Sequence, residues 1–499
     1  MGAGGSSSSF LGRARPLVLA RMGTALLTIS IPLVLARSME LGEYGTYKQL
    51  FLVSQTLCYV LPFGMPHALY FFIPRADVRR PYLVHTMAFL TVTGALAALA
   101  LFAFDARIAR AFSNPALAGY RFQQAAYVIC FTASLTLEIS LTTQGRTRRS
   151  AAVYLISDAV RALAMVVPVL LGFGLKGLMV AVAAFAALRY AAAWGVVLRS
   201  GPGPLLDRRK LAEQLAYALP FGAAMLVSVP QWYAHQYVVS SSVSPELFAI
   251  YAVGCFQLPV VDLLYTPTSE VLMVRLGELD KQGRAGEGAG IFREATAKLA
   301  LAFFPLAAFL VTAAPELIDA LFGHRFAAAV PLFRVGVTGV VLAIMPMDGV
   351  LRARDQTRFL FWAYLAKAAV TVPLVWGGVR HFGMLGGIGS WALAELFGKA
   401  VLLSRIPRAL GSPFRRCVPW VPLAKASGAA ALAAGGVVAV RAYAHPAYAG
   451  LPPGFLWRIL PLAAAGVLFA TGYLAALRAA GVRPLAVLAG LRGPAAARP

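Results

Sequence analysis

The chain has 499 residues, of which 59% are apolar and only 13% charged, and its mean hydropathy is +0.72. No water-soluble core needs that much apolar surface, so composition excludes a string of soluble domains and points to an all-α, polytopic membrane protein. A net charge of +25 would suggest a nucleic-acid partner in a soluble chain, but here Lys and Arg sit in short clusters between apolar runs, which is a topology signal, and no nucleic acid is expected.

A helix rises about 1.5 Å per residue, so crossing about 30 Å of hydrocarbon takes some 20 apolar residues. After a Gly/Ser-rich tail over 1–16, expected to be disordered and cytoplasmic, runs of that length fall near 17–36, 49–72, 82–104, 122–144, 151–172 and 176–198. These six form an expected N-lobe over 17–198. A basic linker, 199–213, leads to six more near 214–239, 248–273, 297–322, 328–351, 359–379 and 384–404, an expected C-lobe over 214–404. A second linker, 405–417, precedes a last pair near 418–440 and 455–478 within 418–478, and a tail, 479–499, follows. The expectation is about fourteen transmembrane helices grouped six, six and two.

Alternate connectors hold about 28 Lys/Arg against about 10 in the opposite set, a bias that places both termini in the cytoplasm. Internal repetition is visible. Phe173-Gly174-Leu175-Lys176-Gly177 joins the fifth and sixth spans, and Phe382-Gly383-Met384-Leu385-Gly386 joins the eleventh and twelfth. Leu137-Glu138 lines up with Met347-Asp348, and Tyr44-Gly45-Thr46-Tyr47 with Phe248-Ala249-Ile250-Tyr251. Matches in order at a nearly constant offset, in units of six spans, imply a parallel repeat about an axis along the membrane normal.

A charge at mid-membrane costs about 2.5–3.5 kcal/mol on insertion scales, so depth decides which charges call for an explanation. Arg161 and Arg189 lie deepest, Lys367 and Arg334 are shallower, and Arg21, Asp348 and Lys399 are near enough to an end to snorkel. The acids at depth are Asp158, Asp262 and Glu395, with Glu138 nearer the inner face. Asp158 and Arg161 are three residues apart, and Glu395 and Lys399 four, so the plainer reading is a pair of intrahelical ion pairs. The functional reading is a polar cavity in which Arg161, Arg189, Lys367, Arg334 and Arg21 offer positive charge to an anionic substrate, for which a guanidinium's planar fork of donors suits phosphate. Prolines and a glycine inside the spans, among them Pro62, Gly64, Pro66, Pro259 and Pro267, read either as gating breaks or as the ordinary enrichment of membrane helices.

Enzyme signatures are missing. There is no G-x-x-x-x-G-K-[ST] loop and no His-Glu-x-x-His, the histidines stand alone, and Cys58, Cys130, Cys255 and Cys417 have no zinc or disulfide spacing. No enzymatic activity, metal or cofactor is expected.

The grouping of spans, an early Arg-bearing helix, the turn Ala36-Arg37-Ser38-Met39-x-x-x-Glu43-Tyr44-Gly45-x-Tyr47 and the two Phe-Gly-x-x-Gly turns resemble the polysaccharide (oligosaccharide-lipid) flippases. These belong to the multidrug/oligosaccharidyl-lipid/polysaccharide exporter superfamily, which also holds multidrug exporters. The resemblance implies two six-helix lobes in a V around a central cavity, alternating access by lobe rocking, and a polyprenyl-diphosphate-linked oligosaccharide as substrate in a bacterial inner membrane. It implies a polysaccharide polymerase and glycosyltransferases as functional partners. Helices thirteen and fourteen would either hold the lipid tail or form an accessory hairpin. Coupling to a proton or sodium gradient would fall to Asp158, Asp262, Glu138 or Glu395. A lipid-linked peptidoglycan precursor flippase, a cation-coupled drug exporter and a non-transporting membrane scaffold are the alternatives.

Overall fold

Inside a bilayer a backbone amide finds no water, so apolar runs close their hydrogen bonds within themselves, and the described residues are helical almost throughout. The computed structural model describes residues 23, 27–144, 147–256, 260–448 and 455–482. Arg21, the tail 1–16 and the end of the last tail lie outside them. The chain separates into two compact units, Met1–Ala252 and Val253–Pro499.

The first unit contains α1 (Leu27–Ser38), α2 (Leu41–Val60), α3 (Met65–Phe72), α4 (Arg80–Ala111), α5 (Arg121–Ser134), α6 (Thr136–Thr143), α7 (Thr147–Leu170), α8 (Gly174–Leu198), α9 (Arg208–Ser240) and most of α10 (Pro245–Gly254). The second contains α11 (Val260–Lys281), α12 (Gly288–Thr312), α13 (Ala314–Phe322), α14 (Val330–Gly336), α15 (Thr338–Leu342), α16 (Met347–Ala353), α17 (Thr357–Leu410), α18 (Phe414–Cys417), α19 (Trp420–Tyr448) and α20 (Phe455–Ala479).

Among the described residues, eleven helices are long and apolar enough to cross a membrane, against the fourteen expected. The shortfall has physical causes. α17 holds two expected spans, 359–379 and 384–404, which fold back on each other at Gly383 (φ 58°, ψ −140°). α1 is described over too few residues to span. The eighth expected span is divided between α10 and α11, and α11 carries Asp262, Glu270, Arg275, Glu278 and Asp280, too many charges for an apolar window.

In the first unit Leu83, Met87 and Leu90 of α4 pack against Leu69 of α3, Ala133 of α5 and Ala193 and Val197 of α8. Polar contacts bind α9 to the same unit. Gln214 donates to Thr86 Oγ1 at 2.7 Å, His85 Nε2 accepts from the Asp207 N–H at 3.0 Å, and Gln49 donates to Ser240 Oγ at 3.0 Å. Tyr217 stacks on Phe71 at 4.8 Å. The seventh expected span therefore packs with the first six.

The two repeated turns share one backbone feature. Gly174 and Gly383 both have left-handed φ values, 55° and 58°, which a residue with a Cβ rarely adopts. Phe173 and Phe382 are both exposed beside them. In the second unit Gly378 and Gly386 meet backbone to backbone, which draws the two arms of α17 together. Leu272, Phe292, Val350, Leu360 and Leu402 fill the core between α11, α12, α16 and α17. The hairpin of α19 and α20 packs on α12 through Leu301, Phe304 and Phe309, and Arg441 pairs with Glu316 at 2.5 Å.

Candidate functional site

The polar groups of the first unit gather where a helix is interrupted. The helical hydrogen bonding lapses at Leu135 between α5 and α6, and Glu138 occupies the first turn of α6. Arg189 of α8 faces it, with Nη2 at 2.6 and 2.7 Å from the two carboxylate oxygens, and Nη1 donates to Ser157 Oγ at 2.8 Å. The Arg189 guanidinium also lies over the Phe131 ring, 5.2 Å from its centroid. With side chains only 9% and 3% exposed, neither charge reaches solvent, and each is held by its counter-ion.

One turn along α7, Asp158 and Arg161 form the expected intrahelical pair at 3.1 Å, and Arg161 Nη2 donates to Thr28 Oγ1 of α1 at 3.2 Å. Arg161 keeps 22% of its side chain exposed, so it is the more accessible of the two deep arginines. A run of ring contacts, Tyr44–Tyr47, Tyr47–Phe51, Phe51–Tyr127 and Tyr127–Phe131, each with centroids within 5.7 Å, joins the start of α2 to the Arg189 pair.

The start of α2 has its own role. Glu43 accepts a hydrogen bond from the Leu175 N–H at the first turn of α8. It thereby satisfies a backbone donor left open at a helix start. Glu43→Ala is expected to cost about 1 kcal/mol, the size of a lost helix cap, measurable as a lower thermal unfolding temperature of the detergent-solubilised protein.

The second unit repeats the interrupted helix with different partners. Asp348 lies in the first turn of α16, accepts from the Tyr265 hydroxyl of α11, and has Arg352 at 3.6 Å. The expected Glu395–Lys399 pair does not form. Glu395 is instead bonded to Lys367 from the opposing arm of α17, whose stem lies against Gly398. The reason is geometric: the glycine opens room across the hairpin, and a facing helix brings an ammonium closer than a neighbour one turn along. Lys399 then stands with Nζ 5.5 Å from the Tyr265 ring centroid and makes no ion pair among the described residues.

The other candidates are scattered. Arg334 is exposed and donates to the Val311 carbonyl at 3.1 Å, and Asp262 is exposed at the start of α11. Within the units, the structure brings together Glu138 with Arg189, Asp158 with Arg161, and Lys367 with Glu395. Sequence reading named all six but paired only the second couple, and it left Lys399 and Tyr265 out of the site. The alignment of Glu138 with Asp348 was the signal that could have led to Tyr265. Among the described residues no group of three or more His, Cys, Asp or Glu side chains could hold a metal ion.

Comparison with known proteins bears on the family and the fold. Residues 34–331 match a family model described as "Polysaccharide biosynthesis protein". No curated protein sequence matches the chain. Among solved structures, the chain is similar to "Lipid II flippase MurJ, inward closed conformation", with a TM-score of 0.72 at 11% identity over 93% of this chain and 99% of that one. It is also similar to an inward-facing multidrug resistance MATE family transporter of the MOP superfamily, with a TM-score of 0.58 at 14% identity over 77% and 93%. A MOP superfamily transporter from Pyrococcus furiosus gives 0.53 at 12% identity over 80% and 95%. At these identities the likeness establishes the fold alone. Because the matched segment covers more than half of its length, the chain belongs to the polysaccharide biosynthesis protein family, as a multi-pass membrane protein whose fold is similar to those solved structures.

Proposed function

We propose that the protein is a flippase that carries a polyprenyl-diphosphate-linked oligosaccharide from the cytoplasmic to the outer leaflet of a bacterial inner membrane, by alternating access, for export or assembly of a surface polysaccharide. The observation that carries this reading is the family match over residues 34–331 on a fold shared with a lipid flippase. Both termini would be cytoplasmic, with glycosyltransferases supplying the lipid-linked substrate and a polymerase consuming it.

In this reading Arg161 contacts the diphosphate, because it retains exposed guanidinium surface while Arg189 is sealed against Glu138. Arg189 is then a positioning residue that holds α8 to α6. In the second unit Lys399 replaces Lys367 as the cation available to an anion, since Lys367 is neutralised by Glu395. Of the acids considered for ion coupling, Glu138, Asp158 and Glu395 each hold a cation, which leaves Asp262 for that role.

Arg161→Ala is expected to lower surface polysaccharide at least about tenfold at equal protein level in a strain that depends on this gene, the scale of one lost hydrogen bond to a charged group. Unchanged polymer would remove Arg161 from the site. A second reading, a lipid-linked peptidoglycan precursor flippase, is motivated by the likeness to the lipid II flippase. Depleting the protein separates the two: growth arrest with lysis favours the precursor, and loss of a surface polymer in growing cells favours the oligosaccharide.

A further inference from the structure

From Glu395 onward the chain changes character: the stretch after it contains twelve Lys or Arg and not one Asp or Glu. Cations there have no acid nearby in sequence to pair with. At the connector between α17 and α19 this imbalance is built into a rigid turn. α17 ends on Gly411 in a left-handed conformation, φ 59°, and the Ser412 N–H donates to the Pro407 carbonyl at 3.1 Å. The Arg416 N–H donates to the Pro413 carbonyl at 2.8 Å, and Cys417 is buried in the core with Leu402, Ile406 and Leu410.

Held from below in this way, the turn presents Arg415 and Arg416 outward, with Arg408 exposed in the last turn of α17. Phe414 and Trp420, 40% and 52% exposed, meet edge to face beside them with centroids 5.9 Å apart. None of the ion pairs among the described residues includes Arg408, Arg415 or Arg416.

We propose that this turn is a binding site for the headgroup of an anionic phospholipid, with the three guanidinium groups on the phosphates and the Phe414–Trp420 pair against the glycerol and upper acyl chains. Guanidinium donors match phosphate geometry, and aromatic side chains settle at headgroup depth. The turn is bounded on both sides by membrane-crossing helices, so its exposed rings lie at that depth, where an acidic soluble protein would not need them. Fixed positions distinguish this from a loose polybasic tail: the backbone bonds and the Cys417 anchor orient the arginines before any ligand arrives. The inference is independent of what the protein transports.

The test uses the full chain in detergent, with native mass spectrometry counting retained cardiolipin and phosphatidylethanolamine. Wild type is expected to prefer cardiolipin, and R408A/R415A/R416A to bind it roughly a hundredfold more weakly, given the attraction of each such cation to an anionic lipid surface. R107A/R110A/R199A, which removes the same charge from exposed positions in the first unit, is expected to change cardiolipin binding less than about threefold. F414A/W420A is expected to weaken it about tenfold with the arginines intact. Equal loss in the control variant would reduce the effect to bulk charge and overturn the site. Full retention of cardiolipin by the arginine triple variant would also overturn it and leave an acidic protein as the partner of this patch. All five side chains are exposed, so unchanged thermal unfolding is expected and serves as the folding control.

Discussion

Arg189→Ala is expected to destabilise the protein by about 3–5 kcal/mol, the largest effect of any single substitution considered, because it leaves the Glu138 carboxyl group buried without its counter-ion. The Glu138 side chain is 3% exposed, too little for water to replace the lost attraction. The Ser157 hydroxyl loses its partner as well. The reciprocal change, Glu138→Ala, should cost a similar amount, because it strands a guanidinium over the Phe131 ring. The informative variant is the double one. Replacing a buried ion pair by apolar residues of similar size is often neutral, so Glu138→Leu with Arg189→Met should recover most of the thermal stability. If surface polysaccharide returns with stability, Arg189 acts through the fold alone. If stability returns without polymer, the guanidinium itself takes part in transport. A double variant as unstable as either single one would contradict the pairing.

The second large effect is at Gly45, where two neighbouring glycines are expected to respond with opposite signs. Both Gly42 and Gly45 lie in the first turns of α2, where replacing Gly by Ala in a helix normally gains up to about 1 kcal/mol. A Cβ on Gly45 would fall on the carbonyl of Pro245, a backbone group fixed at the start of α10, so either α2 or the α9–α10 turn must move. A Cβ on Gly42 would meet only the end of the Glu246 side chain, at 2.6 Å, which can swing aside. Gly45→Ala should therefore lose about 1–3 kcal/mol or more, as overpacking does, while Gly42→Ala should be neutral or slightly stabilising. Thermal unfolding of the two variants side by side decides it. Equal shifts would mean that α2 and the α9–α10 turn are not in the close contact described.

These two predictions divide at what each needed to know. The Tyr44-Gly45-Thr46-Tyr47 motif stood out in the sequence, yet its reason, a backbone contact with a segment 200 residues away, did not, because nothing local marks Pro245 as its neighbour. The pairing of Asp158 with Arg161 was legible, since a three-residue spacing on one helix brings side chains together whatever else the chain does. The same rule misjudged Glu395 and Lys399, because a lysine on the facing arm of α17 reached the carboxylate first. The span count was legible only in part, since a rod broken at one glycine and a charged α11 do not register as separate long apolar helices.

What the sequence by itself determined is everything governed by local chemistry. Apolar length specified the helices, since a backbone in hydrocarbon must bond to itself. Positive φ at Gly174 and Gly383 is open to residues without a Cβ, and the spacing of these glycines exposed the repeat. Rare charges in greasy runs marked the positions that needed partners. Only the tertiary structure decided who those partners are: Arg189 for Glu138, Lys367 for Glu395 and Tyr265 for Asp348, while Arg415 and Arg416 are exposed and enter no ion pair among the described residues. Which face of one helix meets which face of another depends on packing summed over many weak contacts, and no spacing along the chain encodes that sum.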